Sequence, residues 1–259
     1  APFYYNFVDT TSAHLYPRLA AYMGYDAVVA GHSDFEAGHR VYDRVAREMR
    51  KAGVPFLAGN AVSERTGKGY LPAYSIVRKG GVKVAVLGYT NAANASLMDA
   101  SCVSGISFKS LLPLVQEDVD KVRSKEKPQV VIVVAHTSMG KGDGQNLERQ
   151  GLDLFNSLKG VDVLVTGHDH STKVLKTDST VLLDCGRAGQ YACLADINLV
   201  VRGGKVISRS LSGEVESFGS ENYDTAMEEA FKSDYEKVRD FNTSHVGEVK
   251  KDLVSREFY

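Results

Sequence analysis

The sequence predicts an α/β fold built on a sheet whose strands are buried on both faces. Strand-like apolar runs alternate with helix-patterned segments along most of the 259 residues. The central runs, VVIVVAH at 130–136 and VLVTGH at 163–168, are apolar nearly throughout rather than alternating with polar residues, as in strands covered on both sides. In order, DAVVA at 26–30 leads to a helical pattern at 37–52 and then PFLAGN at 55–60. YSIVRK and VKVAVLGY flank Gly80-Gly81 and read as a hairpin over 74–89. Helical patterns at about 109–124 and 146–158 each precede one of the central runs.

Beyond residue 172 the texture changes. VLLDC, ACLADINLVV and GKVISRSL are separated by glycines and polar turns, which predicts an antiparallel set. From Asn222 to about Asn242 charged residues interleave with Ala, Met, Phe, Tyr and Val in one long helical pattern, expected to be exposed with a large apolar stripe. SFGSEN at 217–222 is the linker candidate. A net charge of −1 leaves no electrostatic footprint for a nucleic-acid polymer, and no apolar run is long enough to span a bilayer. Cys102, Cys185 and Cys193 have neither C-x-x-C spacing nor an even count, so the pattern indicates neither a disulfide framework nor a zinc ribbon.

Three apolar runs end alike, in VVAGH, VVIVVAH and VLVTGH, each placing a histidine just past a small residue. In open α/β sheets ligands bind at that edge, because loops converge over the strand ends. A single histidine there is more often a loop residue than a ligand. Four of the seven histidines, His32, His136, His168 and His170, cluster at such ends, however, and that concentration favours a metal or phosphate site. Imidazoles suit zinc, manganese, cobalt or iron; Asp34, Glu36 or Asp169 offer oxygen, or else cap the turns that follow. Ser33 lacks the glycine spacing of a nucleophile elbow, and SMGKGDGQ at 138–145 lacks that of a Walker phosphate loop. It reads as a mobile glycine-rich loop, placed by His136 to lie over the site.

MGYDAVVAGHSDFEAG (23–38), VPFLAGNAV (54–62), YSIVRKGGVKVAVLGYTN (74–91), PQVVIVVAHTSMG (128–140) and VDVLVTGHDHS (161–171) occur in an order that resembles the calcineurin-like metallophosphoesterases. The likeness is to the bacterial 5′-nucleotidase and 2′,3′-cyclic-nucleotide phosphodiesterase branch. It implies a two-sheet β-sandwich flanked by helices, in four layers, with divalent metals (Zn, Mn, Co or Mg; two in the family) at the strand ends. It further implies a metal-dependent phosphoester hydrolase acting on small nucleotides, located in the periplasm or at the cell surface. His168 and His170 match the family's GHxH motif, and His136 its isolated strand-end histidine. His32 matches the asparagine ligand of GNH(D/E), and Ser33, followed by Asp34, matches the histidine that protonates the leaving group.

Two departures follow from the resemblance. The family's D-x-H and GD strand ends have no counterpart here, so the first strand or strands are expected to lie upstream and at most one metal is expected in this chain. Serine in place of the acid histidine is expected to impair hydrolysis of esters with basic leaving groups. Residues 1–216 are expected to form the metallophosphoesterase-like domain, and 217–259 a linker and helix leading to a C-terminal nucleoside-binding domain. A non-catalytic descendant that binds a ligand or partner, and a binuclear hydrolase for another ester, are the alternatives.

Overall fold

A computed structural model describes residues 13–219, 223–248 and 250. Its centre is a six-stranded sheet of β4 (Tyr74–Lys79), β5 (Val82–Tyr89), β7 (Val130–His136), β8 (Val163–Gly167), β10 (Val181–Cys185) and β9 (Thr172–Lys176), in that spatial order. The four inner strands are parallel, and the edge strands β4 and β9 are antiparallel to their neighbours. The expected hairpin over 74–89 is present, turning at Gly80 and Gly81.

One face of this sheet packs under α5 (Leu111–Glu126) and α6 (Gly151–Ser157), with Val115, Val119 and Leu154 against Leu87, Val133, Leu164 and Leu182, all fully buried. Each such side chain contributes roughly 1.5–3 kcal/mol of transfer free energy. The opposite face carries a second layer in separate pieces: the parallel pair β1 (Val28–Val29) and β2 (Phe56–Leu57), the pair β3 (Ala61–Ser63) and β6 (Ile106–Phe108), and the long hairpin of β11 (Tyr191–Arg202) and β12 (Lys205–Ser217). Outside β1 and β2 lies α3 (His39–Lys51), whose Tyr42, Val45 and Met49 pack with Phe56 and Ala58. The expected sandwich with outer helices is therefore the observed architecture.

The layers touch closely at Gly88 of β5. A Cβ there would lie 2.5 Å from Leu57 Cβ and 2.7 Å from Val29 Cγ2, so only glycine allows β1 and β2 to rest on the sheet.

Three expectations change. VLLDC is not part of an antiparallel set alone: β10 inserts beside β8 in parallel and pairs antiparallel only with β9. Val181, Leu182 and Leu183 are all buried, so this run needs cover on both faces, which only an inner position supplies. The helix expected at 146–158 begins at Gly151, and the residues before it belong to the loop that leaves β7. Cys185 and Cys193 form a disulfide, with Cα atoms 5.6 Å apart, joining the end of β10 to β11; Cys102 is free.

The last helix, α7, spans Thr225–Thr243 and is capped by Asp224, whose side chain accepts from the amides of Ala226 and Met227. Asn222, where the helical pattern was expected to start, lies outside the described residues. One side of α7 docks on α1 (Leu15–Tyr22) through Leu15, Leu19, Phe231 and Val238. Arg18 forks onto both oxygens of Asp234, with each contact at 3.0 Å. Tyr235 and Phe241 of this helix remain exposed. No helix among the described residues is long and apolar enough to cross a membrane.

Candidate metal centre

Strand register decides what meets at the sheet's C-terminal edge. β7 and β8 pair so that His136 lies opposite Gly167, which brings the residue after Gly167 alongside His136. His168 adopts φ +152° and His170 φ +60°. Both lie in regions that L residues avoid, and such strain is retained at sites where the surroundings over-determine the backbone. From the second layer, β1 ends beside this edge, and Gly31 caps the short helix α2 (His32–Glu36). Asp34 closes that cap: its Oδ2 accepts from the Gly31 amide at 2.8 Å.

The result is a cluster of three imidazoles. One ring nitrogen from each of His32, His136 and His168 lies within 4.8 Å of the other two, the distance compatible with a shared metal ion. His32 Nδ1 and His136 Nε2 are 2.8 Å apart, and the His32 and His168 ring centroids are 4.7 Å apart. Burial, reinforced by the neighbouring imidazoles, pushes His136 down to about 3. The same two causes lower His32. Both rings are thereby held neutral at neutral pH, the form that ligates. His168 Nδ1 is buried with no hydrogen-bond partner among the described residues, while its Nε2 lies 2.9 Å from Glu148 Oε1. Nitrogen donors close together, those of His32 and His136 held neutral and that of His168 orphaned among the described residues, fit a divalent cation that prefers imidazole.

The other expected residues fall outside the cluster. His170 is exposed and is not brought to the three rings. Ser33 is exposed, its Oγ 3.3 Å from His32 Nε2, and a hydroxyl there is no proton donor of imidazole strength. Asp34 is the cap of α2; burial raises its carboxyl to about 6, against the opposing hydrogen bond from Gly31. Asp169 likewise caps a turn, accepting from the Ser171 hydroxyl at 3.0 Å. Glu36 approaches His32 Nε2 only to 3.7 Å.

Glu148 went unseen in the sequence. Its signal was indirect: the glycine-rich loop after His136 pointed to cover over the site, without saying which of its side chains reaches inward.

No protein-family model matches the chain. A 5′-nucleotidase of Vibrio cholerae is 27% identical over 149 residues, 56% of this chain and 26% of that protein. Among solved structures, the calcineurin-like phosphoesterase YfkN from Bacillus subtilis superposes with a TM-score of 0.76 at 19% identity, covering 91% of this chain and 77% of that one. The chain has the fold of the calcineurin-like phosphoesterases and is similar in sequence to 5′-nucleotidases. The calcineurin-like domain also resembles the sulfate thiohydrolase SoxB of Thermus thermophilus, at 25% identity and a TM-score of 0.66, over 84% of this chain and 38% of that one. It thus matches only about a quarter of the length of its curated relative.

Proposed function

We propose that the calcineurin-like domain is the metal-binding, ester-cleaving part of a hydrolase acting on small nucleotides, of 5′-nucleotidase or cyclic-nucleotide phosphodiesterase type. The convergence of His32, His136 and His168 from three separate strand ends carries this reading. A divalent cation bound there would supply Lewis-acid stabilisation of a phosphoryl group and activate a water. The chain's own contribution is to hold three imidazoles in place: Asp34 fixes the start of α2 and with it His32, and the β7–β8 register places His136 beside His168. Ser33 occupies the position of the family's acid and offers no imidazole proton to a departing alkoxide.

Residues 1–216 form the hydrolase domain in this proposal, and 217–259 lead toward a nucleoside-binding domain. The Cys185–Cys193 disulfide supports a location outside the reducing cytosol, in the periplasm or at the cell surface.

A second reading, another ester, is favoured by the 25% identity with the sulfate thiohydrolase. A thiolate departs without needing a proton, since a thiol ionises near pH ~8.5, so Ser33 would be no handicap.

Two measurements test the proposal. Metal analysis after dialysis against zinc or manganese is expected to find at most one tightly held ion per chain, at His32, His136 and His168; two would contradict the site described here. In the full-length protein, p-nitrophenyl phosphate is expected to be cleaved far better than AMP. Ser33→His should raise AMP hydrolysis selectively, by about ten- to a thousandfold, the usual worth of a general acid. Equal gains on both esters would show an effect on metal binding instead, and no activity on either with metal bound would favour a non-catalytic descendant.

A further inference from the structure

The loop between β7 and α6 is built to deliver one side chain. The Glu148 carbonyl accepts from Thr137 Oγ1 at 2.9 Å, from Asn91 Nδ2 at 3.2 Å and from the Ser138 amide at 3.3 Å. Asn91 and Thr137 are both fully buried, so this anchor is part of the core and not a surface contact. Gly140, at φ +69°, lets the two arms of the loop close on each other, because a Cβ there would collide with the Arg149 carbonyl. With its carbonyl held by three donors, Glu148 projects its carboxylate onto His168 Nε2. The other nitrogen of that ring, Nδ1, is buried and has no partner among the described residues.

We propose that Glu148 is a positioning residue for the metal centre: it accepts a hydrogen bond from His168 Nε2–H, and so leaves the Nδ1 lone pair as the ligating atom. This rests on the reading of His32, His136 and His168 as a metal site. An imidazole presents one lone pair and one N–H when neutral, and the hydrogen bond made by one nitrogen decides which role falls to the other. A carboxylate behind a ligating histidine also raises its basicity, and losing such a partner costs about 10- to 100-fold in metal affinity.

The test compares the wild-type chain with Glu148→Ala and Glu148→Gln. Zinc affinity, measured by competition with a chromophoric chelator, is expected to fall about 10- to 100-fold in Glu148→Ala. Glu148→Gln should retain most of it, because its amide oxygen still accepts from Nε2–H. Long-range proton–nitrogen NMR correlations on metal-free protein should show His168 as the Nε2–H tautomer in the wild type and in Glu148→Gln, and a tautomer mixture in Glu148→Ala. Unchanged zinc affinity in Glu148→Ala, or an Nδ1–H tautomer in the wild type, overturns the proposal. Equal losses in both variants overturn it too, since the negative charge itself would then be acting at the metal. A wild-type chain that takes up no zinc removes the site reading beneath it, an outcome distinct from all of these.

Discussion

Asp184, the penultimate residue of β10, is fully buried. Its Oδ2 accepts from the hydroxyls of Thr166 and Ser171, each at 3.3 Å, whereas Oδ1 has no partner among the described residues. Burial first, and the nearby Asp169 carboxylate second, raise Asp184 from an ordinary 3.8 to about 6. Asp169 stays below the usual range despite partial desolvation, because the Met139 amide and the Ser171 hydroxyl donate to it. The native state therefore keeps the Asp184 proton in a window where the unfolded chain has already lost it. Between about pH 4 and pH 6 the folded protein binds more protons, so this group's contribution to stability falls as pH rises through that window. The displacement corresponds to at most about 3 kcal/mol. Urea unfolding of Asp184→Asn should show a drop in stability from pH 4 to pH 7 that is about 1–3 kcal/mol smaller than in the wild type. An identical pH dependence in the two proteins would contradict the assignment.

At the scale of elements, the cluster of His32, His136 and His168 depends on how closely β1 and β2 rest on β5. Gly88 sets that spacing, and His32 follows only three residues after Val29, one of the two side chains that a Cβ at Gly88 would strike. Gly88→Ala should cost about 1–3 kcal/mol through overpacking. It should also weaken zinc binding, because pushing β1 outward carries His32 away from His136 and His168. The paired measurement is thermal unfolding together with a zinc titration. Lost stability with zinc affinity intact would show that the second layer yields without moving His32. The β7–β8 pair responds differently: its register is held along five residue pairs from Ile132–Val163 to His136–Gly167, so His136 and His168 stay together.

At the scale of the whole molecule, a long-range tie joins α1 to α7. Phe231 meets Tyr22 edge to face with ring centroids 5.4 Å apart, and the Arg18 guanidinium lies 5.4 Å from the Phe231 ring centroid. The docked side of α7 is thus held by an aromatic contact, a cation over a ring and the Arg18–Asp234 fork, while Tyr235 and Phe241 stay exposed. Truncating a partly buried phenylalanine costs roughly 1–3 kcal/mol, below the loss at a fully buried site. Phe231→Ala should therefore speed limited proteolysis within 225–243 while leaving the six-stranded sheet resistant. Uniform acceleration of cleavage through the entire chain would instead make α7 part of the main cooperative unit.

The sequence by itself determined the alternation of strands and helices, the hairpin turning at Gly80 and Gly81, and the three strand ends that carry histidine. Each of these is written in local chemistry: apolar runs, turn glycines, a small residue before an imidazole. The coming together of His32, His136 and His168 was legible only as an expectation, because imidazoles from strands far apart in sequence meet through pairing register and layer spacing. Tertiary structure alone decided that His170 turns to solvent and that β10 enters the sheet beside β8. It alone brought Cys185 within disulfide reach of Cys193 and Glu148 onto His168. Those outcomes depend on which backbone amides pair and which surfaces exclude water once the layers close, and neither quantity exists in any short stretch of the chain.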